Sequence, residues 1–212
     1  MKLALALLLS AVPLLAGGPE KTVDVTTHDT LDFTGGIIHI DTQYGQVNVE
    51  AWDEPRVEVT VSRTSFTHDK QYLERIQVKT EKTDDGIRIA TTFPGRNWFA
   101  RTFHGLGDFN LDYRIKAPAG AKLDIRQHVG DVVVDGIAGD IDASVRSGDI
   151  VVEVPNPGQC IVDAKVKVGD VYADAPGKLR QSRWIGQKFA SDAGTARQHL
   201  HLRVDVGGIS VQ

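Results

Sequence analysis

The chain has a single cysteine, Cys160, among its 212 residues, so an intramolecular disulfide is impossible. Cys160 has the same strand parity as the apolar Val162 and Ala164, which predicts a small core residue. No histidine that could activate it as a nucleophile is indicated by the sequence. Stability must therefore come from packing, even in an oxidising compartment.

The chain also lacks a strong excess of either charge and the common signatures of catalysis. Its formal net charge is −4, which gives no support for a nucleic-acid partner. There is no phosphate-binding loop, no Gly-x-Ser-x-Gly elbow and no metalloprotease helix motif. We therefore predict no catalytic residue, no metal site and no cofactor.

Long apolar runs are missing after the N-terminus. Lys2 is followed by an apolar run over residues 3–15, about 13 residues against the ~20 that span a bilayer, and then by small residues. This pattern predicts a secretory signal peptide over residues 1–18, with a buried core helix as the alternative. We expect residues 19–212 to be exported to the periplasm or beyond, with no transmembrane segment in the mature chain.

What the chain does contain is a repeated alternation of apolar and polar residues around single glycines. Leu123, Ile125 and Val129 share one face of a predicted strand. Apolar positions resume at Val132, an odd step, so both sets point inward only if the chain bends at Gly130. The same unit recurs at five glycines, which are predicted to form corresponding corners: Gly45, Gly130, Gly148, Gly169 and Gly207.

The spacing of these corners predicts the fold class. From Gly130 onward they are 18, 21 and 38 residues apart, and a repeat of about 20 residues made of short strands is typical of stacked solenoids. Further strands precede the repeats, with a short helix near Leu73 and a hairpin ending at Asp85-Gly86. We predict an all-β fold of one domain: a β-solenoid, or single-β-helix-like stack, with its repeats clearest over residues 120–212.

Three corners carry an aspartate after the glycine: Asp131, Asp149 and Asp170. If the repeats lie in register, these carboxylates form a column with a spacing of ~4.8 Å. Because close carboxylates repel, we expect them to accept hydrogen bonds from corner amides. Calcium binding is the alternative, although the glycine-rich nonapeptide of calcium-binding β-rolls is absent.

Repeated Gly-Asp-Val or Gly-Asp-Ile corners, at residues 129–132, 147–150 and 168–171, resemble the putative-adhesin domains of bacterial envelope proteins, a family of unknown function. The resemblance covers roughly residues 36–212, although Gln46 and Gly208 replace the aspartate in the first and last units. It implies an all-β, solenoid-like domain on the outer side of a membrane. It assigns no catalytic residues.

Two stretches that mix aromatic and basic residues interrupt the strand pattern, at residues 94–109 and 178–194. They either cap the ends of the fold or bind an anionic envelope polymer, a lipid surface or a protein. We expect the second stretch to be partly exposed, because its bases are opposed by one acid, Asp192. The candidate binding residues are Arg96, Trp98, Arg101, Arg180, Arg183, Trp184 and Lys188.

Two functional hypotheses remain. The first is a non-catalytic secreted or envelope-associated protein with an adhesive, scaffolding or sensing role. The second is a secreted carbohydrate-active enzyme with an unrecognised site. A groove that holds two carboxylates would favour the enzyme, and a mixed-charge outer face would favour the non-catalytic protein.

His199 and His201 alternate with leucines, so we expect them to point to solvent.

Overall fold

The computed structural model describes residues 23–65, 70–93, 109–181, 185–191 and 198–212, so the predicted signal peptide lies outside the described residues. These residues are almost entirely strands, and the all-β prediction is confirmed. The strands are β1 (Val23–Asp32), β2 (Ile37–Tyr44), β3 (Gln46–Trp52), β4 (Arg56–Ser65), β5 (Gln77–Thr83), β6 (Gly86–Thr92), β7 (Phe109–Pro118), β8 (Lys122–Val129), β9 (Val132–Asp135), β10 (Ile141–Ser147), β11 (Ile150–Glu153), β12 (Cys160–Val168), β13 (Val171–Ala173), β14 (Gly177–Gln181), β15 (Gln187–Ser191), β16 (Gln198–Val206) and β17 (Ile209–Val211). One short helix, α1 (Lys70–Arg75), follows β4, and a 3-10 turn (Pro157–Gln159) precedes β12.

The strands form two sheets around one hydrophobic core. The first sheet has the order β1-β4-β7-β3-β9-β11-β17-β13, and the second has the order β14-β15-β12-β16-β10-β8-β2-β6-β5. Each glycine-centred unit gives its longer strand to the second sheet and its shorter strand to the first. In the second sheet Ile141 pairs with both Leu123 and Leu200, so equivalent residues of the repeats lie side by side.

The inward sets predicted from parity are buried along most of each strand. Val145 and Val166 are almost completely buried, as are Cys160, Ile125 and Ile150. The helix and the β5–β6 hairpin also lie where the sequence predicts them, and Leu73 and Ile76 join the core.

The prediction is wrong for the residue that precedes the corner glycine in three units. Ser147 is exposed, Val168 is 39% exposed and Val206 is 51% exposed, although the parity of their units predicts that all three point inward. Each precedes a corner glycine, where the chain leaves the second sheet, so its side chain lies at the rim of the core.

The units are not stacked in chain order, as a simple solenoid would require. The last unit (β16 and β17) lies between the third (β10 and β11) and the fourth (β12 and β13). The reason lies in the long interval before Gly207, which contains β14 and β15. Because β15 pairs antiparallel with one edge of β12, only the other edge is free to accept β16.

Tyr113 gives the core an alkaline pH dependence. Its side chain is fully buried, with the hydroxyl 2.9 Å from Thr91 Oγ1, and burial raises the pKa of Tyr113 to about 12. The folded state therefore keeps its proton where the unfolded state loses it, so stability should fall as the pH rises from about 10 to about 12. Urea unfolding across this range should show a weaker pH dependence in Tyr113→Phe. Tyr172→Phe changes an exposed tyrosine and is the control: its free energy of unfolding should depend on pH as in the wild type.

Candidate anion-binding surface

Four basic residues lie side by side on the outer face of the second sheet. Lys165 of β12 pairs with Arg203 of β16 on one side and with Lys188 of β15 on the other. Lys188 pairs in turn with Arg180 of β14. We call these four residues the cationic row. Since neighbouring strands are ~4.8 Å apart, the row crosses about 14 Å of the sheet, perpendicular to its strands.

Strand alternation explains why the row points outward. Ala164, Val166, Phe189 and Val204 are buried, so the residues between them must face away from the core. Lys165, Lys188 and Arg180 are exposed, and Arg203 is partly exposed.

One carboxylate, Asp163, serves several of these bases. Its Oδ2 lies 2.8 Å from Arg203 Nη2, and its Oδ1 lies 3.6 Å from Lys188 Nζ. The hydrogen bond from Arg203 holds the pKa of Asp163 below its usual value, helped by the charges of Arg203, Lys188 and His201 and opposed by partial desolvation. Asp163 therefore stays ionised and neutralises about one of the nearby charges.

Part of the remaining positive charge is not neutralised locally. Along β12, β14, β15 and β16 the outward bases include Lys165, Lys167, Arg180, Lys188 and Arg203. On these four strands the outward acids are Asp163 and Asp205, and Asp205 pairs with Lys167 at 2.6 Å. Within the described residues, neither Lys165 nor Arg180 has a carboxylate partner. A chain with net charge −4 thus concentrates positive charge at one end of one face.

The outer face of the first sheet carries a row of acidic residues, which ends at Lys116 of β7, the strand neighbour of Glu50. Glu50, Asp135 and Glu153 lie side by side on β3, β9 and β11, and all three are exposed. We call them the acidic row. Because the two sheets enclose one core, the cationic row and the acidic row lie on opposite faces of the domain.

The candidate residues from the sequence are only partly brought together. Arg180 and Lys188 are direct neighbours, whereas Arg96, Trp98, Arg101, Arg183 and Trp184 lie outside the described residues. The second interruption is not a loop throughout, because it contains β14 and β15. The period-two alternation around Leu179 and Phe189 is the sequence pattern that indicates these two strands. Phe189 is buried against the core, so this hairpin also covers part of the fold.

Lys165 and Arg203 belong to the row but were not candidates from the sequence. Both were recognisable as outward residues, since each alternates with buried neighbours. Their meeting with Lys188 depends on the pairing of β12 with strands on both sides, which parity alone does not reveal.

The corner glycines lie at equivalent positions and have positive φ angles, between 120° and 140°, in each of the five units. The N–H groups of four of them donate to the carbonyl of the last residue in the neighbouring unit's longer strand: Gly45 to Val129, Gly130 to Ser147, Gly148 to Val206 and Gly207 to Val168. Gly169 donates instead to Ile185, which precedes β15.

The corner aspartates accept hydrogen bonds but do not form the expected consecutive column. Asp131 accepts from Asp149 N–H at 3.0 Å, and Asp149 accepts from Gly208 N–H at 2.6 Å. Asp170 accepts from the Gln187 side chain at 2.7 Å. Gly208 separates Asp149 from Asp170 because the last unit inserts between the third and the fourth. Among the residues that the structure describes, no three potential ligand side chains are grouped to hold a metal ion.

The grooves on the second sheet contain carboxylates, several of which are engaged by bases. His39 bridges Asp85 and Asp124, with 3.0 Å on each side. Burial opposes ionisation of Asp140, yet hydrogen bonds from Lys122 and from the His199 N–H lower its pKa. The pKa of Asp85 is lowered by hydrogen bonds from Thr83 and His39. A glycosidase acid needs the opposite shift.

His199 and His201 are exposed on the outer face, as their alternation predicts. Cys160 is buried, and desolvation raises the pKa of its thiol, which disfavours the nucleophilic thiolate. No helix in the described part of the chain is both long and apolar enough to cross a bilayer.

Solved structures with a similar course of the chain include a putative cell adhesion protein from Clostridium sporogenes. It is 13% identical, the match covers 89% of this chain and 99% of that one, and the TM-score is 0.49. A putative adhesin from Parabacteroides merdae is 14% identical, with 75% and 68% covered and a TM-score of 0.37. Likeness at this level carries no functional argument. No curated protein matches the chain.

The resemblance drawn from the Gly-Asp corners is confirmed by a family model. It matches residues 24–212, which include all five glycine-centred units. The chain therefore belongs to the Toastrack DUF4097 family.

Proposed function

We propose that this protein is a non-catalytic, exported domain that binds an anionic component of the cell envelope through its cationic row, in an adhesive, scaffolding or sensing role. The observation that carries the proposal is the alignment of Arg203, Lys165, Lys188 and Arg180 on four adjacent strands.

Such an alignment is unfavourable for the fold alone. Like charges directly opposite one another on neighbouring strands destabilise a sheet. Asp163 relieves only part of this repulsion, because Lys165 and Arg180 lie outside its ion pairs. A ligand that brings several negative charges to the row would relieve the rest, and the summed field would steer it to this face.

The acidic row supports a defined orientation on the ligand. An anionic surface attracts the face with Lys165 and repels the face with Asp135 on the other side of the core. The domain would therefore present its first sheet away from the bound surface. The N-terminal pattern of residues 1–18 supports export, so we propose a periplasmic or extracellular location.

No comparable observation supports the hypothesis of a carbohydrate-active enzyme. The lowered pKa values of Asp85 and Asp140 keep these groove carboxylates ionised, which disfavours a general-acid role. We therefore keep the non-catalytic role.

The test is binding of the mature protein to a lipid-free polyanion, immobilised inorganic polyphosphate. Replacing Lys165, Arg180 and Lys188 together with serine should weaken binding by about threefold to a hundredfold, since exposed ion pairs contribute about 0.2–1 kcal/mol each. The wild type should bind less tightly as salt is raised, and the variant should show a smaller salt dependence.

The matched control removes the same charge at the far end of the same sheet. Lys79, Lys82 and Arg88 lie on β5 and β6, and their replacement with serine changes the net charge equally. Its binding should stay within about twofold of the wild type. An equal loss of affinity in both variants would show that net charge alone attracts the protein to the polyanion. Unchanged affinity in the variant of the cationic row would refute the site.

A further inference from the structure

An exposed apolar corner lies beside the cationic row. Val168 and Val206 pair across β12 and β16, and they are 39% and 51% exposed. Ile185, 64% exposed, is joined to this corner because its carbonyl accepts the Gly169 N–H at 3.0 Å. We call Val168, Ile185 and Val206 the apolar rim.

The rim is confined to the end of the stack that carries the positive charge. In the other units the residue before the glycine is Tyr44, Val129 or Ser147. Tyr44 packs edge-on against Phe109 at 5.3 Å, Tyr44 and Val129 are only partly exposed, and Ser147 is polar. Single exposed aliphatic residues are ordinary, but adjacent ones mark an interaction surface.

The distance between the rim and the row fits the layering of a bilayer. Val168 follows Lys165 by three residues, as Val206 follows Arg203, which corresponds to about 10 Å along the strands. The headgroup region on each side of a bilayer is roughly 5–8 Å thick, given ~30 Å of hydrocarbon within 40–45 Å in total. The odd step places Val168 and Lys165 on opposite sides of β12, so the domain would meet the bilayer tilted, with its glycine-corner edge lowest and the outer face of the second sheet toward the lipid. Such a tilt makes the difference in depth between rim and row smaller than their separation along the strands. A rim at the acyl boundary would then hold the row among the headgroups, and long lysine side chains can adjust the remaining difference.

We propose that the anionic component bound by this domain is the surface of a lipid bilayer, with the apolar rim inserted at the acyl boundary and the cationic row on acidic headgroups. The inference rests on the proposed function, since it assigns the same row a lipid ligand. A soluble or wall-bound polyanion would engage the row but offers the aliphatic side chains no apolar phase.

The experiment compares three proteins on two ligands: the wild type, Ile185→Ser with Val206→Ser, and the triple serine variant of the row. Cosedimentation uses vesicles of phosphatidylcholine with phosphatidylglycerol, and of phosphatidylcholine alone, and immobilised polyphosphate is the second ligand. The rim variant should lose about tenfold or more in affinity for the anionic vesicles. It should bind polyphosphate like the wild type.

Tyr172→Ser is the control for the loss of an exposed apolar side chain elsewhere, because Tyr172 is 61% exposed on the first sheet. Its vesicle binding should not change. If the rim variant has a lowered melting temperature, Val206→Thr, which keeps the volume and adds a hydroxyl, replaces it and should still weaken vesicle binding.

The outcomes separate the two proposals. Wild-type vesicle binding by the rim variant, with loss in the row variant, would overturn insertion and leave the proposed function standing. Binding to polyphosphate without binding to anionic vesicles would assign a polymer ligand and overturn the lipid surface. Unchanged binding by the row variant on both ligands would overturn the proposed function itself.

Discussion

Replacing Gly148 with alanine is expected to destabilise the domain by more than about 3 kcal/mol. Gly148 has a φ of 136°, a conformation that costs about 1–3 kcal/mol for a residue with a side chain. An added Cβ would also lie 2.1 Å from the carbonyl oxygen of Gly130 in the neighbouring unit. That oxygen is backbone, so the two units must move apart, which strains the hydrogen bond from the Gly130 N–H to the Ser147 carbonyl. Urea unfolding followed by circular dichroism measures the loss.

Two other glycines separate these causes. Gly35 has a φ of 119° but open space around it, so Gly35→Ala should show the conformational cost alone. Gly208 occupies the same corner column without a left-handed φ, and its Cβ would meet nothing closer than 3.4 Å. Gly208→Ala should therefore be nearly neutral. A cost for Gly148→Ala no greater than that for Gly35→Ala would mean that close approach of the units contributes nothing.

Ile125→Ala is expected to have the second large effect, a loss of about 2–5 kcal/mol. Ile125 is fully buried at the centre of the second sheet, where its strand neighbours are Ile40 and Ala143. The small side chain of Ala143 offers little to fill the space, so a cavity should remain. The measurement is again urea unfolding, with the slope checked for two-state behaviour.

Val133→Ala is the matched surface control, because Val133 lies on the outer face of β9 and is only partly buried. It should cost less than about 1 kcal/mol. Similar losses in the two variants would contradict the assignment of inner and outer faces. Without an intramolecular disulfide, this core must carry the stability of the domain.

Much of the fold was predictable because its signals are local. The alternation of Leu200, Leu202 and Val204 identifies a strand with one buried face, and Gly207 marks its corner. The position of that strand was not predictable in the same way. It depends on which edge of β12 is free, and that is decided by the pairing of Phe189 with Ala164 in a segment that did not look like strands.

The candidate site illustrates the same limit. The sequence indicates that Arg180 and Lys188 belong to a basic segment, and their local charge is visible without a structure. Lys165 and Arg203 join them only through register across β12. Strand parity predicted that Val206 is buried, and this was wrong. Parity indicates which side of the sheet a side chain faces, but it does not indicate where the opposing sheet ends.

The most direct measurement of the central proposal is a lysine footprint that needs no substitution. The mature protein would be acetylated at limiting reagent, free and bound to anionic vesicles, and modification at each lysine quantified by mass spectrometry. Lys165 and Lys188 should be protected on binding, while Lys79 and Lys82, at the other end of the sheet, should react as in the free protein. Protection of Lys79 and Lys82 with unchanged reactivity at Lys165 and Lys188 would place the binding surface elsewhere and contradict the proposed role of the cationic row.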